Sequence, residues 1–203
     1  MLGFWNKSVY ITYLGAFLAI SGFLLMLTYG DIDYAFAGMI LAMVCDMFDG
    51  KVARKLKNRT EMEKDFGVQI DSLADIVCFI TIPALTIYFS GMKEIYQIII
   101  LALYVVCGII RLAYFNVAMS DKNKAIEYYQ GLPVPVSIAV FGLVWLLTKA
   151  FTFNVALVYT ILVPIVGYLH ISKIRIKKFT GSWFYITVSL LALIAIILGV
   201  FVL

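Results

Sequence analysis

Charged residues are scarce in this chain of 203 residues, at 14% of the sequence, whereas soluble domains carry about 25%. Hydrophobic residues make up 64%, and they are gathered in long runs of about the length that one helix needs to cross a bilayer. The shortage of charge excludes a soluble domain, and the continuity of the runs disfavours a barrel of short alternating strands. The sequence therefore predicts an all-α integral membrane protein, with 1–203 forming a single membrane-embedded domain.

Histidine and cysteine are also rare, with one histidine and three cysteines. A lone histidine, His170, argues against a histidine-based metal site or a histidine-dependent catalytic triad. Cys45, Cys78 and Cys107 lie within apolar runs, where they are interpreted as small buried hydrophobic residues. Any chemistry must therefore come from other residue types.

The apolar runs predict seven transmembrane spans, at 9–29, 34–56, 66–90, 95–119, 131–148, 152–169 and 182–203. The first run is not followed by a small-residue cleavage site and is expected to be a retained span. The second run loses its apolar character near Phe48, but its helical spacing continues through Lys55. That helix is therefore expected to protrude into the aqueous phase.

Basic residues are concentrated in alternate loops, at 49–65, 120–130 and 170–181. The positive-inside rule places these loops and the N-terminus in the cytoplasm. The chain is therefore expected to be a multi-pass protein of the cell membrane.

The ends of the second and third spans carry four aspartates. The residues that share one face of the second helix are Asp46, Asp49, Gly50, Ala53 and Arg54. In the third span, Gly67, Asp71 and Asp75 repeat every four residues, again on one face. Because the loop between the spans is cytoplasmic, the aspartate-bearing ends are predicted to converge just inside the cytoplasmic interface.

Four carboxylates at such a place repel one another and require positive charge. Arg54 supplies one charge, and divalent cations with a preference for oxygen ligands, Mg²⁺ or Mn²⁺, can supply the rest. Helix capping and salt bridges to nearby lysines would account for one or two of the aspartates, but not for four on converging faces. Gly50 and Ala53 leave room on this face for a bulky polar ligand.

The segment DMFDGKVAR…GVQIDSLAD resembles the motif of the CDP-alcohol phosphotransferase family, D-x-x-D-G-x-x-A-R followed by G-x-x-x-D-x-x-x-D. All of the specified positions are present. The spacer, 55–66, is a few residues longer than is usual in the family. This difference falls in a hydrophilic loop, where insertions cost little, and concerns loop contacts rather than the chemistry.

The resemblance implies a six-helix core, usually in a homodimer, that replaces CMP on a CDP-linked alcohol with a second alcohol. It implies that Asp46, Asp49, Asp71 and Asp75 hold two divalent cations, and that Asp75 is the general base. The residues implied to bind the CDP-lipid are Asp49, Gly50, Ala53, Arg54, Gly67 and Thr12. Direct attack with inversion at phosphorus is expected, because no cysteine or histidine nucleophile accompanies the motif.

The segment RLAYFNVAMSDKNKAIEYYQGLPVPVS at 111–137 resembles a subgroup of that family, the membrane-integral phosphatidylserine synthases. The implied acceptor is L-serine. Arg111 could bind its carboxylate in a bidentate manner, Asn116 and Glu127 are candidates for its ammonium group, and Pro133 would help to shape the pocket. The alternatives are an Arg111 that snorkels to the interface and a Glu127 that is a solvated loop charge.

Two further hypotheses remain open. A phosphorylated acceptor, such as glycerol 3-phosphate or inositol phosphate, could use the loop cations Lys122, Lys124, Arg175 or Lys177. A cation transporter could use intramembrane aspartates, but it would not require Gly50, Ala53 and Arg54 on the same face. The expected partners are the CDP-lipid, L-serine, membrane lipids and a second copy of the chain, with no nucleic acid. The sequence does not distinguish diacylglycerol from isoprenoid-ether lipid tails.

Overall fold

The computed structural model describes residues 3–57, 59–120, 128–151 and 153–177. The predicted seventh span and Glu127 lie outside these ranges. The described chain forms two compact units, one running to Cys78 and the other beginning at Phe79. The prediction of one catalytic domain over 1–203 stays a prediction.

The first unit contains α1 (Lys7–Tyr29), α2 (Ile32–Lys55) and α3 (Glu61–Asp75). The first two helices pack closely where Gly22 faces Gly38: a Cβ atom at Gly22 would lie 2.5 Å from the carbonyl oxygen of Tyr34 and 2.9 Å from the Cα of Gly38. The chain turns between them at Gly30, whose φ of +74° lies in the left-handed region that favours glycine. Helix α2 extends to Lys55, as predicted from its helical spacing.

Helix α3 begins at Glu61, five residues before the predicted start of the third span. A capping box explains the difference: the Glu63 N–H donates to Thr60 Oγ1 at 3.2 Å, and the Thr60 N–H donates to Glu63 Oε2 at 2.8 Å. These first turns are hydrophilic, so hydropathy did not mark them as part of the helix. A π-helical segment (Ile76–Thr81) follows α3 directly.

The second unit contains α4 (Ile82–Phe89), α5 (Ile95–Ser120), α6 (Val134–Ala150) and α7 (Val155–Ile171). Its core includes Tyr104, whose hydroxyl donates to the Phe79 carbonyl at 3.1 Å, and Tyr159, whose hydroxyl donates to the Phe141 carbonyl at 2.9 Å. Two three-residue strands, β1 (Tyr128–Gln130) and β2 (Arg175–Lys177), pair antiparallel. This short pairing was not predicted, but the regular structure of the described residues is otherwise helical, as expected.

Among the described residues, three helical segments are long and apolar enough to cross a membrane: Lys7–Tyr29, Glu61–Phe89 and Ile95–Ala118. Helices α6 and α7 are apolar but shorter, with 17 residues each. The predicted second span is not among the three, because only the stretch 34–45 separates Asp33 from Asp46. The fold class, an all-α membrane protein, is confirmed.

Candidate metal centre

Three carboxylates meet in the first unit. Asp46 and Asp49 of α2 and Asp71 of α3 each offer one oxygen, and these oxygens all lie within 4.8 Å of one another. Asp49 is buried, and the other two are half-buried. The predicted convergence of the two motif halves is therefore present for three of the four aspartates.

The spacing of these oxygens fits a small divalent cation. Oxygen ligands lie about 2.1 Å from Mg²⁺, so two ligands on opposite sides of the ion are about 4.2 Å apart. Three oxygens around one octahedral ion are about 3.0 to 4.2 Å apart, so oxygens within 4.8 Å of one another could converge on one cation after small rotations of the side chains. Three adjacent carboxylates also repel one another unless a cation lies between them. The donor set and its spacing therefore suit Mg²⁺ or Mn²⁺.

Asp75 is not part of this group of three. It lies four residues after Asp71 on α3, about 6 Å further along the helix axis. Asp75 is half-buried, and both Asp75 and Asp46 interact electrostatically with the thiol of Cys78. The aspartate predicted to be the general base is thus one turn away from the carboxylate group, beside the same cysteine as Asp46.

Helix α1 also reaches the centre, through Thr12. The Thr12 hydroxyl donates to Asp49 Oδ2 at 2.7 Å, and both side chains are buried, with 8% and 6% exposure. The same hydroxyl lies 3.3 Å from the Ser8 carbonyl, a longer and weaker contact. Thr12 thus donates a hydrogen bond to a motif carboxylate, and its contact with the nucleotide stays a prediction.

The small residues of α2 leave one face of the helix open. Among the described residues outside the backbone of its own helix turn, a Cβ atom at Gly50 would contact only the Arg54 Nη1, at 3.6 Å, which is an ordinary van der Waals distance. Arg54 itself is exposed and interacts electrostatically with Asp49. A ligand with negative charge could therefore approach the Gly50 backbone beside a cationic side chain.

Arg59 is a residue that the sequence reasoning missed, treating it only as one positive charge of a basic loop. Its Nη1 donates to the Ala53 carbonyl at 3.3 Å, and its Nη2 donates to the Glu63 carbonyl at 3.2 Å. A Cβ atom at Gly67 would lie 2.7 Å from the same Nη2. No local pattern in the sequence marks this contact, because it depends on how the connection between α2 and α3 folds back.

In the second unit, Arg111 is buried, with 7% exposure, and does not snorkel. Its Nε donates to the Leu132 carbonyl at 3.1 Å, and its guanidinium carbon lies 5.1 Å from the centre of the Phe115 ring. His170, which the sequence reasoning set aside, lies with Nδ1 at 3.0 Å from the same carbonyl. The segment that contains Leu132 is thus fixed by two buried side chains.

Of the other predicted serine-binding residues, Pro133 lies beside the Leu132 carbonyl that Arg111 contacts, whereas Asn116 lies on another face of α5. Asn116 is half-buried and lies five residues further along α5, about 140° around the helix, so it does not share the Arg111 face. Pro133 follows Leu132 directly and caps α6. Glu127 lies outside the described residues.

Comparison with known proteins points to one family. The profile of the CDP-alcohol phosphatidyltransferases matches residues 5–203. The CDP-diacylglycerol–serine O-phosphatidyltransferase of Saccharomyces cerevisiae is 36% identical over 122 residues, covering 57% of this chain and 43% of that protein. The enzyme of the same name from Helicobacter pylori is 31% identical over 161 residues, covering 77% of this chain and 65% of that protein.

An archaeal relative has a related name. The archaetidylserine synthase of Methanothermobacter thermautotrophicus is 38% identical over 109 residues, covering 53% of this chain and 44% of that protein. The matched region thus spans less than two thirds of the length of each of these three relatives, at 43%, 65% and 44%.

Proposed function

Because the chain belongs to the CDP-alcohol phosphatidyltransferase family, we propose that it transfers the lipid phosphate group of a CDP-lipid to the hydroxyl of L-serine and releases CMP. The group of three carboxylates is the observation that carries this proposal. Serine is the acceptor named in the relatives from Saccharomyces and Helicobacter, and the archaeal relative is named for a serine-containing lipid. The product would be phosphatidylserine or its archaeal-lipid equivalent.

Asp46, Asp49 and Asp71 would hold a divalent cation, and Asp75 would complete a site for a second one beside Asp71. When bound, Mg²⁺ or Mn²⁺ ions neutralise charge on a diphosphate and stabilise the charge that develops on the leaving group. Arg54 would add a cation on the diphosphate side, next to the open backbone of Gly50. This placement is supported by its electrostatic attraction to Asp49.

In the reaction, the serine oxygen forms a bond to the lipid-side phosphorus as the bond from that phosphorus to the CMP oxygen breaks. Asp75 would accept the hydroxyl proton, since an alcohol is a poor nucleophile unless a base lies within hydrogen-bond reach. The open surfaces of Gly50 and Ala53 would let the nucleotide lie against α2. A single direct displacement predicts inversion at phosphorus.

Arg111 would bind the serine carboxylate. A guanidinium carries five N–H donors, so the bond from Nε to Leu132 does not use up its capacity. A buried arginine is expensive unless it faces polar groups, which supports a role in binding an anion. Asn116, Glu127 and Pro133 remain proposed members of the serine pocket. A homodimer in the cell membrane, with the active site on the cytoplasmic side, completes the proposal.

The test is CMP release by the purified protein. CDP-diacylglycerol and its archaeal ether analogue would each be supplied with Mg²⁺ or Mn²⁺ and with L-serine, glycerol 3-phosphate, inositol phosphate or inositol. Release with serine alone supports the proposal, and release with a phosphorylated acceptor alone would replace serine by that acceptor. Cation flux in vesicles without CMP release would favour a transporter.

A further inference from the structure

Arg59 connects the two halves of the carboxylate motif. It lies in the connection between α2 and α3, directly before Thr60, which caps α3. One end of its guanidinium donates to the carbonyl of Ala53 in the last turns of α2, at 3.3 Å. The other end donates to the carbonyl of Glu63 in the first turn of α3, at 3.2 Å. The side chain therefore bridges the two helices at the ends where the aspartates lie.

Gly67 makes room for this bridge. A Cβ atom at that position would lie 2.7 Å from Arg59 Nη2, closer than carbon and nitrogen can approach without one of them moving. Arg59 is the flexible partner, so any side chain at Gly67 would push the guanidinium away from its two carbonyl acceptors. The Nε of Arg59 is buried and has no hydrogen-bond partner among the described residues.

The bridge lies close to the carboxylates. Ala53 follows Asp49 by four residues, about 6 Å along α2, and Gly67, next to the guanidinium, precedes Asp71 by the same distance. The acceptor on α3, Glu63, lies about 12 Å before Asp71 along that helix. A contact between the helices at this level limits how far apart the aspartates can move. Metal coordination tolerates only small errors in ligand position, of about 0.2 Å. A lysine could not replace the arginine, because a single ammonium lacks the planar fork that reaches two acceptors.

We propose that Arg59 is a positioning residue that holds the two halves of the metal site at binding distance, and that Gly67, which has no side chain, leaves the space that the Arg59 guanidinium occupies. This inference rests on the proposed function, since it assigns a purpose to the separation of Asp49 and Asp71. It also assigns Gly67 a role in packing, beside the role in CDP-lipid binding that the family resemblance implies.

The test is a double-mutant cycle on Mn²⁺ binding to the substrate-free protein, measured by electron paramagnetic resonance. Arg59→Ala and Gly67→Ala should each weaken Mn²⁺ binding about tenfold. Their effects should not multiply, which corresponds to a coupling of about tenfold, a size that contacting residues show. The double variant should be no weaker than the worse single variant, because both substitutions remove the same bridge. Arg59→Lys should not restore binding, and Lys57→Ala, an exposed cation of the same connection, should leave it unchanged.

Two results would overturn the inference. Losses that multiply, to about a hundredfold in the double variant, would mean that Gly67 and Arg59 act independently. Unchanged Mn²⁺ binding in Arg59→Ala would mean that the bridge does not position the aspartates. Thermal unfolding without metal identifies a variant that fails to fold, and in that case Arg59→Gln, which keeps part of the side chain, replaces Arg59→Ala in the cycle.

The same measurements separate this inference from the proposed function. Mn²⁺ binding needs neither serine nor a CDP-lipid, so the expected coupling in a protein that never releases CMP would leave the inference standing and defeat the function. If the unmodified protein releases CMP with serine but the two substitutions act independently in the cycle, the proposed function stands and the inference about Arg59 and Gly67 fails.

Discussion

The substitution Thr12→Val removes one hydrogen bond from the carboxylate centre and little else. Valine has nearly the same shape as threonine, and the lost bond is the 2.7 Å contact from the Thr12 hydroxyl to Asp49 Oδ2. Both side chains are buried, at 8% and 6% exposure, so water cannot easily replace the donor. Hydrogen bonds to charged groups contribute about 1.5 to 3 kcal/mol. This bond can form with or without the cation, so only part of that energy enters the binding equilibrium, and if the bond orients Asp49 its loss should weaken Mn²⁺ binding by about 10-fold at most.

Thr28→Val is the matched control. Thr28 lies on the same helix, but its hydroxyl donates only to the Leu24 carbonyl one turn earlier, at 2.8 Å, and is exposed. Mn²⁺ titration and CMP release should therefore be unchanged in Thr28→Val, and Thr12→Ser should retain most of the binding. Equal Mn²⁺ affinity in Thr12→Val and Thr28→Val would refute the reasoning, because the hydrogen bond would then not orient Asp49.

Four further substitutions test other parts of the structure. Asp71→Asn removes one of the three converging carboxylates and should abolish Mn²⁺ binding and CMP release. The thermal unfolding temperature should stay similar or rise, because the repulsion between the carboxylates is reduced. Arg111→Lys should raise the KM for serine at least tenfold with little change in the KM for CDP-lipid, because an ammonium lacks the bidentate fork; an unchanged serine KM would remove Arg111 from the pocket. Gly22→Ala should lower the unfolding temperature by several degrees, because its Cβ would lie 2.5 Å from the Tyr34 carbonyl oxygen. Gly50→Ala should leave the unfolding temperature unchanged and should lower the affinity for CDP-lipid.

The parts of the fold that the sequence predicted are those set by local spacing. Apolar runs placed α1 and α5 within two residues of their observed bounds, because a long apolar segment has few alternatives to a helix. The aspartate spacing placed Asp46, Asp49 and Asp71 on converging faces for the same reason, since residues three and four apart lie on one side of a helix.

The parts that could not be predicted depend on polar contacts between segments. The early start of α3 is fixed by the capping box of Thr60 and Glu63, in a stretch whose hydropathy resembles a loop. The short β1–β2 pairing joins residues more than forty positions apart. Arg111 illustrates the same limit, because its burial against the Leu132 carbonyl follows from the fold of the second unit and not from its position near the end of an apolar run.

The spacer 55–66 of the motif combines both kinds of information, because its second half, from Glu61, is the first part of α3 and only 56–60 connect the two helices. The sequence suggested that the extra residues of 55–66 are a harmless insertion, because flexible loops lengthen at low cost. In the structure, however, the connection supplies the Thr60 cap and the Arg59 guanidinium that reaches both helices. A loop that lengthens without such contacts would let the helix ends drift apart, and the aspartates with them. The extra length is therefore compatible with a metal centre because part of it folds back onto the helices that carry the ligands.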